Sequence, residues 1–261
     1  MKSRLLSEKK LFVLDMDGTF YLGDRLLEGS LDFIDSLKNK GLDFLFYTNN
    51  TSKSPNFYIE KLASMGLKIR QDQLLTSAIV SLGYLKSRFE NPKIYLLGTP
   101  MLEAYFKENG IRLTDKDPDA VVVGFDTSLV YEKLDKACKL IRQGVPFLAT
   151  HPDKNCPIEG GLIPDCGAIC AAITASTGKE PRYLGKPNIE TVDYILEVTG
   201  LTKKDLVFVG DRLETDIAMG SKHGVTSALV LTGVTNLRDL AISDIKPDIV
   251  ADRLIDLLTY L

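Results

Sequence analysis

Short apolar runs, each closed by polar or acidic residues and followed by a helix-patterned stretch, recur along the whole chain. "LFVLDMD" is the first and "LDFLFYTNN" the second; "KIYLLG", "AVVVGFD", "PFLATH", "LVFVGD" and "SALVLTG" continue the series. Apolar runs of this length without polar alternation suit strands covered on both faces. Between them stand amphipathic stretches such as "LLEGSLDFIDSLKNKG", closed by Gly41, and "SPNFYIEKLASMG", with Ser54 and Pro55 at its start and Gly66 at its end. Ser before a helix accepts a spare N–H, Pro tolerates the first helical position, and Gly adopts the left-handed conformation that ends the last turn. Strands alternating with helices predict an α/β fold of the doubly wound, Rossmann-like class, with a parallel sheet covered on both faces.

A chain of 261 residues has room for one large α/β domain or for two separate cores. Apolar residues at 44% and charged residues at 26% are ordinary for a folded globular protein. The formal net charge of −3, with no basic stripe, gives no reason to expect a nucleic-acid polymer or an anionic membrane as partner. No run approaches the ~18 apolar residues of a membrane span. The first apolar run stops at Asp15, too soon for a secretory signal, so a cytoplasmic location is expected. Cys138, Cys156, Cys166 and Cys170 include no CxxC pair, and Cys166 and Cys170 stand one helical turn apart in "CGAICAAI". That pattern reads as buried free thiols rather than a zinc site.

In open parallel sheets, ligands sit beyond the carboxyl ends of the strands, so the residues just after each apolar run carry the information. They are Asp15 and Asp17; Thr48, Asn49 and Asn50; Asp211 and Asp216 in "VFVGDRLETD"; and Lys186 in "YLGKPN". Each alone is an ordinary turn, cap or surface residue. Together they place several carboxylates near one another, which costs free energy unless a cation lies among them. An oxygen-rich ligand set in a chain with two histidines favours Mg²⁺ over zinc. A Thr hydroxyl, Asn amides and a Lys are donors for a phosphate. Mg²⁺, phosphate donors and a spare carboxylate describe a phosphoryl-transfer site.

"DMDGT", "TNN", "GKP" and "GDRLETD", in this order, resemble the four motifs of the haloacid dehalogenase (HAD) superfamily. The resemblance covers about 1–78 and 180–261. It implies that Asp15 is the nucleophile forming an aspartyl-phosphate, and that Asp17 is the general acid and base, for which a modestly raised pKa would suit. It implies a metal set of Asp15, Asp211 and the Asp17 backbone carbonyl, with Asp216 supporting. Thr48 and Asn49, with Asn50 beside them, are then expected at phosphate oxygens and Lys186 at the transferring group. Asp17 argues against the metal-free dehalogenating members, which lack this second aspartate, and against the ion pumps, which carry threonine there. Hydrolysis or mutase-type phosphotransfer is left. A receiver-like protein that stores an aspartyl-phosphate also combines such residues, but in a shorter chain and with its acidic pair on a different strand.

Between Asp15 and Thr48 there is space for only one helix and a strand. The surplus chain, about 79–179, reads as a second, smaller α/β domain inserted after the second motif and expected to cover the site. Its placement resembles the type C2 cap of the NagD-like, or 4-nitrophenylphosphatase-like, branch. That resemblance implies a phosphatase of small phosphorylated metabolites, and caps of this type can form homo-oligomers. "LATHPDKNCPIEGGLIPDCGA" reads as a Pro/Gly-punctuated loop after a strand, with His151 and Asp153 as candidates for substrate contact.

Overall fold

The computed structural model describes residues 5–158 and 160–261. The chain forms two compact units. One takes the chain up to Thr48, Ile59–Leu75 and Lys186–Leu261; the other takes Asn49–Tyr58 and Thr76–Gly185. The second unit therefore extends slightly beyond 79–179 and also claims the segment after Thr48. Hydrogen bonds between distant residues attach that segment. The Phe125 N–H donates to Thr51 Oγ1 at 2.9 Å, and Thr99 Oγ1 donates to the Ser52 carbonyl at 3.0 Å.

The first unit is built on a six-stranded sheet in the order Ile249–Ala251, Thr226–Val230, Leu206–Gly210, Leu11–Leu14, Asp43–Thr48, Leu74–Thr76. Leu11–Leu14 pairs in parallel with both neighbours, Leu14 standing opposite Val209 on one side and Phe46 on the other. The carboxyl ends of three central strands thus lie side by side. All four residues of Leu11–Leu14 are buried. Helix Ser30–Asn39 packs Phe33, Ile34 and Leu37 inward, and the Phe33 ring meets Phe12 edge-on at 6.0 Å.

"LETDI", Leu213–Ile217, forms a π-helical turn, and α-helix begins only at Ala218–His223. The helical spacing of "ETDIAMGSKHG" predicts one continuous helix, but an α-helical period does not reveal a locally widened turn. The Asp216 carboxyl occupies the space that a Cβ on Gly210 would need, so Gly at the end of this strand is a packing requirement.

Two short antiparallel pairs depart from the sequence reading. Tyr21–Leu22 pairs with Arg25–Leu26, adding a hairpin between Asp15 and the first helix. Asn155–Ile158 pairs with Gly161–Pro164, so the stretch read as a loop contains a hairpin. Strands of two residues carry no readable period, and Pro157 and Pro164 mask the second pair.

The second unit has an all-parallel five-stranded sheet, in the order Arg182–Tyr183, Phe147–Ala149, Ala120–Val123, Lys93–Leu97, Arg112–Leu113. Val121 and Val123 face a core with residues of helices Tyr131–Arg142 and Cys166–Thr177. Ala120 and Val122 face an opposite core with Leu82, Leu85 and Phe106. Covering on both faces explains why "AVVV" shows no polar alternation. Cys138, Cys166 and Cys170 are buried, Cys156 is half-buried, and all four are thiols rather than disulfides. Among the described residues, no helix is long and apolar enough to cross a membrane.

Candidate active site

The backbone ladder runs one residue beyond Leu14, because the Asp15 N–H donates to the Val209 carbonyl at 2.8 Å. Beside Asp15 lies Lys186, only 2% exposed. Its ammonium is 2.6 Å from Asp15 Oδ1, 2.5 Å from Asp216 Oδ1 and 3.4 Å from the Tyr47 carbonyl. The other Asp216 oxygen, Oδ2, accepts from Thr215 Oγ1 at 3.3 Å. Tyr47 fixes the backbone of this lysine as well. Its hydroxyl accepts the Lys186 N–H at 3.2 Å and pairs with Thr191 Oγ1 at 2.9 Å. The Lys186–Pro187 peptide bond is cis.

Asp211 closes the group. Its Oδ2 accepts the Val234 N–H at 2.7 Å, while Oδ1 is buried with no hydrogen-bond partner among the described residues. Gly18 and Gly233 make this packing possible. A Cβ on Gly18, whose φ is +84°, would stand 2.6 Å from Asp211 Oδ2, and one on Gly233 would overlap the same atom. One carboxylate oxygen from each of Asp15, Asp211 and Asp216 lies within 4.8 Å of the others.

Burial alone would strip the proton from Lys186, but Asp15 and Asp216 outweigh it and raise the ammonium above its ordinary value. Burial pushes the Asp15 carboxyl well up; Lys186 pulls it down, while Asp216 and Asp211 add to the rise. Burial, with Asp216 adding to it, lifts Asp211 to about 6 against the pull of the Val234 N–H. Three carboxylates therefore face one ammonium in a nearly dry site, and one oxygen has no donor. Such a set fits a hard divalent cation, which would supply the missing positive charge and a partner for the spare oxygen.

Asp17 differs from this group because its side chain reaches solvent. Partial desolvation raises its carboxyl above the ordinary value, opposed by Lys61, the Gly23 N–H and Arg212. Thr48 is half-buried at the end of its strand.

The remaining candidates lie in the second unit. Asn49 is held at both ends of its amide, with Ser77 Oγ donating to Oδ1 at 2.7 Å and Nδ2 donating to Asp153 Oδ2 at 3.2 Å. Asn50 shapes a turn, its Oδ1 accepting the Ser52 N–H at 2.9 Å and the Ser52 hydroxyl at 2.7 Å. His151 is fully buried against Asp153 and Asp165. Sequence reasoning missed Tyr47 and Asp165. A hydroxyl one residue before a strand's polar end and an acid directly before a helix were the available signals.

The haloacid dehalogenase-like hydrolase model matches residues 12–112, and a second, HAD-hydrolase-like model matches residues 183–257. An acid sugar phosphatase of Staphylococcus aureus is 35% identical over 243 residues, 93% of this chain and 94% of that protein. The chain belongs to the haloacid dehalogenase-like hydrolase family. A 4-nitrophenylphosphatase from Thermotoga maritima superposes with a TM-score of 0.94 at 46% identity, each chain covered over 98% of its length. A glycerol phosphate phosphatase from Mycobacterium tuberculosis, solved in complex with magnesium, superposes with a TM-score of 0.89 at 28% identity, over 98% of this chain and 79% of that one. These relatives place the HAD-type hydrolase in the NagD-like, or 4-nitrophenylphosphatase-like, branch and make it a phosphoric monoester hydrolase.

Proposed function

We propose that this HAD hydrolase is a Mg²⁺-dependent phosphatase of small phosphomonoesters that works through an aspartyl-phosphate on Asp15. One arrangement carries the reading: the Lys186 ammonium joins Asp15 to Asp216, beside an Asp211 oxygen that is buried without a partner. Asp15, Asp211 and the Asp17 carbonyl would hold Mg²⁺. Asp216, already engaged by Lys186 and Thr215, would act mainly by orienting the lysine. When bound, the ion neutralises negative charge on the phosphoryl group.

With Asp15 Oδ1 tied to Lys186, the other oxygen attacks phosphorus and the ester P–O bond breaks. The leaving oxygen takes a proton from Asp17. Water then attacks the aspartyl-phosphate, Asp17 accepts the water's proton, and phosphate leaves as the Asp15 carboxylate is restored. The raised Asp17 pKa supports this double duty, because the group must be protonated in one step and ionised in the next. Thr48 supplies a donor to phosphate oxygens, and Lys186 stabilises charge on the transferring group.

The names of the relatives support phosphorylated sugars or polyols as the substrate class. Release of 4-nitrophenol from its phosphate ester should require Mg²⁺ and stop with a chelator. A panel of sugar phosphates, glycerol phosphate and nucleotides should then rank the substrates. Equal rates for wild type and Asp15→Asn would overturn the assignment of the nucleophile.

A further inference from the structure

His151, one of the chain's two histidines, is 0% exposed. Its Nδ1 lies 3.4 Å from Asp153 Oδ2 and its Nε2 3.6 Å from Asp165 Oδ1. Neither nitrogen has a hydrogen-bond partner among the described residues. A neutral imidazole carries one N–H and one lone pair, so one nitrogen would turn its lone pair towards a carboxylate inside the protein. Only the doubly protonated ring offers a positive N–H edge to both acids. One ligand atom from each of His151, Asp153 and Asp165 lies within 4.8 Å of the others, so a metal ion is the competing occupant that the test must separate.

The backbone around this ring is built to hold the acids in place. Asp165 caps helix Cys166–Thr177, its Oδ1 accepting the Cys166 N–H at 2.6 Å. The Gly167 N–H donates to the Asp153 carbonyl at 2.8 Å, and the Asp165 N–H donates to the Lys154 carbonyl at 2.9 Å. A Cβ on Gly167 would overlap the Pro152 carbonyl, so a glycine permits this close approach. Asp153 Oδ2 in turn accepts from Asn49, the residue directly after Thr48.

We propose that His151 is a positioning residue: a buried imidazolium clamped between Asp153 and Asp165, which holds Asp153 against the Asn49 amide and so steadies the chain just after Thr48. The titratable groups facing the ring are Asp153, Asp165 and Cys166. Burial would favour loss of the proton, but Cys166, Asp165 and Asp153 outweigh it and raise the ring to about 9. Burial pushes the Cys166 thiol up, but the Cys170 hydrogen bond and the His151 charge outweigh it and bring it to about 7. Cys166 is therefore a third partner that favours the charged ring. The effect on catalysis rests on the proposed role of Thr48; the charge state of the ring does not.

The test is ¹⁵N NMR of the imidazole nitrogens in the full-length, Mg²⁺-loaded protein, with His223 as the second set of signals. Both nitrogens of His151 should be protonated at about pH 7.5. His151→Gln should raise KM for 4-nitrophenyl phosphate roughly tenfold, about 1.4 kcal/mol, with kcat within about threefold. Adding Asp165→Asn should recover much of KM, since an amide can donate where the imidazolium did. A single protonated nitrogen in wild type at that pH would overturn the clamp, whatever the activity. Stoichiometric Zn²⁺ uptake that removes the His151 N–H signals would overturn it in favour of a metal site. A protein that hydrolyses no phosphomonoester but keeps both N–H signals would refute the phosphatase reading and leave the clamp intact.

Discussion

The Lys186 ammonium lies 2.5 Å from Oδ1 of Asp216, and the side chains of both residues are 2% exposed. This contact joins a π-helical turn to the turn that leads into helix Ile189–Thr199 and delivers the lysine to Asp15. Removing one partner of a buried ion pair strands the other. Lys186→Met should therefore lower stability in metal-free buffer by about 3–5 kcal/mol, measured by urea unfolding. It should also lower kcat by roughly 10²–10³, the scale of losing one electrostatic donor. Combining it with Asp216→Asn should return part of the stability and none of the activity.

The two aspartates of "DMD" should fail differently. Asp15→Asn should abolish turnover and leave no acid-stable phosphate on the protein. Asp17→Asn should slow turnover by roughly 10²–10⁴ and still form phosphoprotein with an activated leaving group such as 4-nitrophenol. Acid quenching followed by intact mass measurement separates the two. Equal phosphoprotein in both variants would refute the division of roles.

Asp211 should couple the proposed metal site to pH. Its carboxyl is raised from 3.8 to about 6 in the folded protein, so the folded state holds this proton more tightly than the unfolded chain. The stabilisation this supplies is complete below about pH 4 and lost as pH rises through about 6. In the proposed metal set Asp211 serves as the ionised carboxylate. Saturating Mg²⁺ should therefore raise Tm more at about pH 7.5 than at about pH 5, as differential scanning fluorimetry would read. An equal gain at both values would remove Asp211 from the metal set.

Gly18→Ala tests the packing beneath the proposed metal site. The φ of +84° and the 2.6 Å approach to Asp211 Oδ2 leave no place for a methyl group. A loss of about 1–3 kcal/mol is expected from backbone strain alone. Displacement of Asp211 should also weaken the apparent Mg²⁺ affinity. Titration of activity with Mg²⁺ separates that effect from lowered stability.

Tyr47→Phe removes the acceptor of the Lys186 N–H and the partner of Thr191. A buried donor left without an acceptor costs about 1–3 kcal/mol. Stability should fall by that amount, and kcat should fall by less than in Lys186→Met because the ammonium itself remains. A kcat loss as large as that of Lys186→Met would show that the hydroxyl holds the lysine in register.

Much of the fold was legible because burial on both faces leaves a continuous apolar run, as in Leu11–Leu14 and Ala120–Val123, and a run that must stop at a ligand ends in polar residues. The hairpins at Tyr21–Leu26 and Asn155–Pro164 were not legible, being too short for a period or interrupted by proline. The π-helical turn at Leu213–Ile217 was hidden because its residues fit an α-helical pattern equally well. Asn49 looked like a phosphate donor by sequence position, yet its amide is engaged by Ser77 and Asp153.

Local chemistry in the sequence determined which strand ends carry carboxylates, a lysine and a threonine, because hydrophobic periodicity and turn residues act over a few neighbours. Only the tertiary structure decided which of those groups touch. Lys186 meets Asp15 across 171 positions of chain and Asp216 across 30, and His151 sits fully buried between two acids. Such pairings depend on parallel register, on glycines that let side chains approach, and on desolvation. All three exist only once distant segments have packed together.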